Sequence, residues 1–324
     1  MSHDHETPLM PNPAAPRVAL HDNEIPIDEN GVRSLLAEQC PQWADLPLSL
    51  AGAGTDNHMY RLGDDLVVRL PRTAEKARSL QKEHQWLPRL APLLTYEVPE
   101  PVYAGVPSGD FPLDWSVFRW IYGEVAGPDT VTDWAGLGTG LAEFVRELHG
   151  AGLMGAARGD LSSSQARRPQ GARRHGHIVE QVQQNFDNCR MIMGSELDLD
   201  ALEQLWLASL SLPEPSGPHV WRHNDLKPAN LLVRAGKLHA VIDFGGGLSV
   251  GFPESEHDSL WQSPPETRQA YREALEIDDL TWMRVRARVI AGSLVGIQYY
   301  RHSWPAVAAR CQALLEEVLA ESTA

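Results

Sequence analysis

HVWRHNDLKPANLLVRAGKLHAVIDFGGG, residues 219–247, decides how this chain is read. LLV and LHAVIDF have strand character, and the four residues from Arg234 to Lys237 between them include Gly236. Two such runs with so short a turn pair as a hairpin. With Arg234 facing Lys237, Leu231 is expected opposite Ala240 and Asn230 opposite Val241. Asp243 then lies about two positions beyond Asn230, at the open end of the hairpin. Two hard oxygen donors meeting there suit Mg²⁺, which takes one or two protein oxygens and fills its other positions with phosphate and water.

Asp225 stands five residues before Asn230, in a loop stiffened by Pro228. That loop can fold a second carboxylate back beside the metal without making it a ligand. A hydroxyl bound there can give its proton to Asp225 while attacking a metal-held γ-phosphate. His223 is expected to fix the loop through hydrogen bonds. Lys227 can reach the transferring phosphoryl group as a point charge. Taken singly, Asp225, Asn230 and Asp243 are ordinary turn residues; their joint spacing is what points to chemistry.

HNDLKPAN resembles the kinase catalytic loop H-R-D-L-x-x-x-N, with Asn224 in place of the arginine, and IDFG supplies the D-F-G 18 residues after the base. The wider surroundings are similar to the aminoglycoside phosphotransferase family, a branch of the protein-kinase-like fold acting on antibiotics and other small hydroxylated compounds. In that family the loop usually reads H-G-D, so Asn224 departs there too. The resemblance runs from about residue 45 to 318 and takes in AGAGTDNHMYRLGDDLVVRLPR, EHQWLPRLAP, WSVFRWIYGE and the closing helices. It implies an α+β, bilobal fold with an antiparallel N-terminal sheet and a mainly helical C-terminal lobe. It also implies ATP or GTP with Mg²⁺ as cofactors, nucleotide between the lobes, and the acceptor over Asp225. Asp225, Lys227 and His223 are then the catalytic residues, and Asn230 and Asp243 the metal ligands.

On the nucleotide side, AGAGTDN at 51–57 can cover phosphates with backbone N–H groups, Gly54, Thr55 and Asn57 among them. A glycine-rich turn between strands is also often just a turn. LVVRL places Arg69 where the resemblance expects the strand lysine that holds the α- and β-phosphates, and Arg72 competes for that role. Leu80, Glu83, Leu87 and Leu90 form one helical stripe, and a lone carboxylate in an apolar stripe wants a partner. Arg69 is the partner the family implies; a stripe-edge glutamate reaching solvent is the alternative. The adenine is expected on the backbone of Arg119, Trp120, Ile121 and Tyr122, whose aromatic rings could equally be core.

Charge and composition bound the partners. The net charge is −15, from 43 acidic and 28 basic residues, which argues against nucleic acid. An acidic surface concentrates cationic solutes, and it also simply keeps a protein in solution. The family's G-D-P reads Gly251-Phe252-Pro253 here, so one acid is missing. Glu254, Glu256 and Asp258 follow closely and are expected to compensate at the substrate, a hydroxylated small molecule with cationic ones among the candidates. Cys40, Cys189 and Cys311 have no metal or disulfide spacing. No apolar run approaches the roughly 20 residues that cross a bilayer, and the first twenty residues lack a signal's features. The expected compartment is a reducing cytoplasm, with no membrane partner.

The expected organisation is a disordered tail at 1–20, carrying His3 and His5, a nucleotide-binding lobe at 21–121, and a helical catalytic and substrate lobe at 122–324. Helices are expected over 31–40, 73–90, 132–149, 177–194, 198–211 and 305–320, with strands in LPLSLAG, HMYRL, LVVRL and WSVFRWIYGE. Met283, Ala287, Ile290, Leu294 and Ile297 repeat at helical spacing. The basic run at 165–177 reads as a solvated loop. The function expected is phosphorylation of a small-molecule hydroxyl, an antibiotic such as an aminoglycoside and hence resistance. Two rivals are a metabolic kinase for a sugar or amino alcohol and a nucleotide-binding module without turnover. Degenerate kinases generally lose the base or a metal ligand, and here all three residues are present.

Overall fold

Asp28 opens the first helix, its carboxylate accepting the N–H of Gly31 at 2.9 Å in the manner of an N-cap. The computed structural model describes residues 23–53, 56–109, 111–156 and 172–323. The expected tail, together with Gly54 and Thr55, lies outside those residues. Two compact units divide the chain, one reaching Pro92 and including Glu97–Tyr122, the other made of Leu93–Tyr96 and the chain from Gly123 onward.

The first unit is built from α1 (Glu29–Gln39), β1 (Leu48–Ala53), β2 (Asn57–Leu62), β3 (Leu66–Pro71), α2 (Ala74–Leu90), β4 (Pro101–Gly105) and β5 (Trp115–Arg119). Its strands form an antiparallel sheet in the order β1-β2-β3-β5-β4. β3 is central and buried along its whole length. Alternation along it sends Val68 and Leu70 into a core shared with Tyr60, Val117 and Leu35 of α1. Arg69 therefore points to the opposite face, where α2 supplies Glu83. Of WSVFRWIYGE, β5 takes Trp115–Arg119; the N–H of Trp120 still reaches the carbonyl of Asp65 at 2.8 Å, one step further along the pairing with β3. β4 lies in a Pro-rich stretch, VPEPVYAGVPSGDFPLD at 98–114, for which no strand was expected. Its proline stands at the first position of an outer strand, where a missing N–H costs no ladder bond.

The second unit contains β6 (Glu124–Val125), α3 (Trp134–Gly150), α4 (Ala172–Met193), α5 (Leu199–Leu210), β7 (Val220–Arg222), β8 (Leu231–Arg234), β9 (Lys237–Val241), β10 (Ser249–Gly251), α6 (Pro265–Ala274), α7 (Asp279–Tyr300) and α8 (Pro305–Thr323). Leu93–Tyr96 belongs with it because Glu147 of α3 accepts both the N–H and the hydroxyl of Thr95, at 2.8 and 2.6 Å, and Glu143 accepts the hydroxyl of Tyr96 at 2.9 Å. α3 packs closely on α6: a Cβ at Gly138 would collide with the backbone of Thr267. α4, α5, α7 and α8 enclose a second core around Phe186, Trp206, Trp261, Trp282 and Leu294. α4 begins at Ala172, inside the basic run read as a loop; the rest of that run lies outside the described residues. α6, β7 and β10 carry no expectation above, being short or weakly periodic. No described helix is long and apolar enough to cross a membrane.

The decisive hairpin forms with its register shifted from the expected one. Arg234 faces Lys237, but Leu231 faces Val241 and Leu232 faces Ala240, because a bulge intervenes between Leu232 and Val233. One extra residue on β9 moves every later partner by one. Asn230 consequently meets Ile242, whose N–H donates to its carbonyl at 2.9 Å. Asp243 is thus one position beyond the partner of Asn230, closer than the unbroken register implied.

Candidate active site

β7 delivers the chain into the loop His223–Asn230, which feeds directly into β8. The amide of Asn230 folds back and donates to the carbonyl of Asp225 at 2.9 Å and to its carboxylate at 2.8 Å. Both nitrogen hydrogens are so employed, and the side-chain oxygen of Asn230 is the atom left for a cation. The ammonium of Lys227 pairs with the same Asp225 carboxylate oxygen at 2.8 Å. Asp225 is half-buried, so its carboxylate is held from two sides and still reachable.

His223 joins this loop to the segment that carries Asp243. Its Nδ1 accepts the N–H of Asp225 at 3.2 Å, so Nε2 is the protonated nitrogen and donates to the carbonyl of Ile242 at 2.9 Å. The ring also packs edge-on against Phe244, with centroids 4.5 Å apart, and Phe244 packs against Phe144 of α3. Asp243 sits between these two anchored neighbours with φ +67°. That left-handed conformation is one aspartate tolerates better than most residues. Asp225, Asn230 and Asp243 are therefore gathered on one hairpin and the loop that enters it.

Glu256, expected to face a substrate, is fully buried. Its two oxygens accept the N–H of His223 and of Asn224, each at 2.7 Å, which clamps the start of the catalytic loop. Burial alone would raise this carboxyl, but His149, His223 and the N–H of Asn224 outweigh it and hold it below the ordinary carboxylate range. Neighbouring His257 is driven down to about 4 by burial and is hydrogen-bonded to the hydroxyl of Tyr271 at 2.9 Å. Both groups carry less proton in the fold than in the unfolded chain. Their contributions are complete above the unfolded values and are lost as pH falls, for His257 between about 6.5 and about 4. Glu256→Gln turns an NH₂ toward one of the two backbone donors. It is expected to cost about 1–3 kcal/mol in denaturant unfolding, and unchanged stability would remove the clamp.

The other two acids of this segment are also engaged. Glu254 lies 3.9 Å from Arg284, and Asp258 pairs with Arg288 at 2.8 Å, both arginines coming from α7. Burial raises the Asp258 carboxyl, with Arg288 acting against it. Ser259 accepts the N–H of Leu226 at 2.7 Å, a second tie to the catalytic loop. Ser249 and Ser259 carry no motif and sit far along the chain from the loop they hold, so no spacing could have singled them out. Phe252 packs edge-on against His219, centroids 4.6 Å apart. A cavity of about 620 Å³ lies away from all of these, beside Arg268, Arg272, Trp282, Glu317 and Glu321. Its charged walls pair with each other, Arg268 with Glu317 at 2.7 Å and the Trp282 indole with Glu321 at 3.2 Å.

In the first unit, Arg69 meets Glu83 at 3.0 Å, with Glu83 wholly buried. Arg72 is occupied elsewhere, its guanidinium on Glu24, so the choice between the two arginines falls to Arg69 for the pair with Glu83. Glu83→Ala would leave a buried guanidinium charge behind, and a loss of about 3–5 kcal/mol in denaturant unfolding is expected; a loss below 1 kcal/mol would mean that solvent replaces the carboxylate. Asn57 opens β2. Of the connector, the N–H groups of Arg119 and Trp120 are already donated to Glu100 and Asp65, at 2.9 and 2.8 Å. The Trp120 ring lies under the Arg61 guanidinium at 3.9 Å, and the Tyr122 hydroxyl donates to Asp64 at 2.6 Å. Neither ring is core.

A model of the phosphotransferase enzyme family matches residues 48–289. No relative matches among the curated proteins. Solved structures with the same fold include an APH(2") enzyme in complex with GDP and kanamycin, 21% identical, covering 90% of this chain and 98% of that one at TM-score 0.65. The GDP complex of an aminoglycoside 2'-phosphotransferase is 19% identical, covering 91% and 100% at TM-score 0.67. The macrolide 2'-phosphotransferase of Brachybacterium faecium, solved without ligand, is 20% identical, covering 87% and 98% at TM-score 0.56.

Proposed function

Since this chain belongs to the phosphotransferase enzyme family, its match spanning residues 48–289, we propose that it moves the γ-phosphate of ATP or GTP to a hydroxyl of an antibiotic. The observation that carries this reading is the loop in which Asp225, Lys227 and Asn230 are bonded together one residue's reach from Asp243. Asp225 takes the proton of the acceptor hydroxyl as the oxygen attacks phosphorus. Lys227 supplies a positive charge beside the base and the incoming phosphoryl group. The Asn230 oxygen and the Asp243 carboxylate are the pair suited to Mg²⁺, which when bound would neutralise charge on the transferring phosphates. Arg69, steadied by Glu83, takes the place of the phosphate-holding lysine, with Asn57 nearby at the strand opening. With the N–H groups of Arg119 and Trp120 spent, Ile121 and Tyr122 are the connector residues whose N–H groups would serve the adenine, and the carbonyls of the four can accept from it.

The structural relatives include phosphotransferases of aminoglycosides and of macrolides. One observation favours the less charged kind of acceptor. Glu256 and Asp258 are occupied by protein partners, Glu254 lies 3.9 Å from Arg284, and Phe252 replaces an acid. An exposed charge pair at about 4 Å is worth only around 1 kcal/mol in water, so a polycationic acceptor would need several available carboxylates. Phosphate transfer measured against aminoglycosides, macrolides and neutral sugars, at low and high salt, tests both parts. Best turnover on an apolar-bodied antibiotic with little salt dependence is expected. Turnover confined to sugars or amino alcohols would make it a metabolic kinase, and Mg²⁺-nucleotide binding without any transfer a regulatory module.

A further inference from the structure

We propose that Asn224 is a positioning residue which locks the loop of the base to the loop of the metal carboxylate, so that Asp225 and Asp243 keep a fixed separation. The inference rests on the roles assigned above to those two aspartates and extends to a residue with no role in the proposed chemistry. Asn224 has φ +62°, a left-handed conformation open to glycine and, among side-chain-bearing residues, best to asparagine. Glycine would therefore satisfy the backbone here, and the amide has a separate use. Its nitrogen donates to the carbonyl of Gly247 at 2.6 Å and to the hydroxyl of Ser249 at 2.7 Å. A carbonyl acceptor fixes which end of the amide is nitrogen.

Both acceptors lie just past Asp243, at the far end of the turn in which Leu248 donates back to Phe244 at 2.9 Å. The two segments are pressed together as well as bonded: a Cβ at Gly247 would collide with the carbonyl of His223. Ser249 is held in turn by Arg222 of β7, at 2.9 Å, and by strand pairing with the same residue. The backbone N–H of Asn224 is fixed by the buried Glu256. Asn224 thus bridges a clamped loop to a strand end, spanning the turn that carries Asp243. On the other side of that turn His223 makes the matching tie to Ile242. Asp243 is held from both directions, and on the far side the amide of Asn224 adds to the pairing of β10 with β7 a direct tie to the loop of the base.

Asn224→Gly keeps the left-handed backbone and deletes the strut, while Asn224→Asp keeps its shape and puts an acceptor against the Gly247 carbonyl. Two readouts separate the strut from general stability. Amide hydrogen exchange of 244–249 is expected to speed up about 10-fold or more in Asn224→Gly, roughly the worth of one lost hydrogen bond, and further in Asn224→Asp. ADP affinity without Mg²⁺ should match wild type, while the gain on adding Mg²⁺ shrinks by about 10-fold. Wild-type exchange at 244–249 together with a full Mg²⁺-linked gain in Asn224→Gly would overturn the proposal. A wild-type protein whose ADP affinity ignores Mg²⁺ would refute the phosphotransferase reading and with it the functional half of this inference. The exchange measurement decides the mechanical half in either case.

Discussion

Asp225→Asn is expected to leave nucleotide binding nearly intact and to lower turnover by about 10²–10⁴-fold, the usual worth of a positioned acid or base. The exchange is close to isosteric. The carboxylate oxygen at stake accepts from Asn230 at 2.8 Å and faces Lys227 at 2.8 Å, and an amide oxygen can keep both contacts. Geometry is preserved while basicity disappears, because an amide does not take up a proton near neutral pH. Arg69 and Glu83, proposed above for the nucleotide, and the carboxylate of Asp243 are untouched by the exchange. Steady-state kinetics on the purified variant, with nucleotide affinity measured beside it, separates the two effects. A near wild-type kcat would take the role of base away from Asp225.

The parts of this site that were legible in the sequence are those whose residues are neighbours in the chain. Asp225, Asn230 and Asp243 fall within one loop and one hairpin, so turn chemistry and strand period suffice to bring them together. Even there the register came out one residue off, because a bulge beside His239 leaves no trace in composition. Glu83 was legible as a polar interruption of an apolar stripe, and the fold supplies the arginine it needed. Arg72 could not be set aside from sequence, since its partner Glu24 lies 48 residues away.

Beyond His223, expected to fix the loop and found bonded to Asp225 and Ile242, the support of the site was not legible, and the reason is burial. Glu254, Glu256 and Asp258 look alike in a line of acidic residues, yet one is sealed under two backbone N–H groups and two face arginines of α7. Which acid goes inside depends on a loop 33 residues earlier, and which acids face arginines on a helix that arrives 30 residues later. Asn224 likewise read as a departure from a motif, and only its distances to Gly247 and Ser249 give it a purpose. Motifs report the atoms that touch substrate; the tertiary contacts that aim those atoms are spread over segments with no common pattern.

Asp243→Ala is expected to abolish the gain in nucleotide affinity that Mg²⁺ confers. With the carboxylate gone, only the neutral amide oxygen of Asn230 remains, and a neutral oxygen is a poor sole ligand for a hard cation that gives up its waters reluctantly. The replacement also puts alanine at φ +67°, a left-handed conformation costing roughly 1–2 kcal/mol for an ordinary residue. Part of any loss could therefore be backbone strain. Asp243→Asn separates the two causes, because asparagine accepts that conformation and retains an oxygen while lacking the charge. If charge is what the cation requires, the asparagine variant keeps near wild-type stability and still loses most of the Mg²⁺-linked affinity. If strain is the cause, it binds like wild type and only the alanine variant fails. Calorimetric titration of ADP into each protein, with and without Mg²⁺, reads the difference directly. A variant lacking the carboxylate that gains as much from Mg²⁺ as wild type would show that Asp243 is not a metal ligand, and the hairpin would need another oxygen to serve the phosphates.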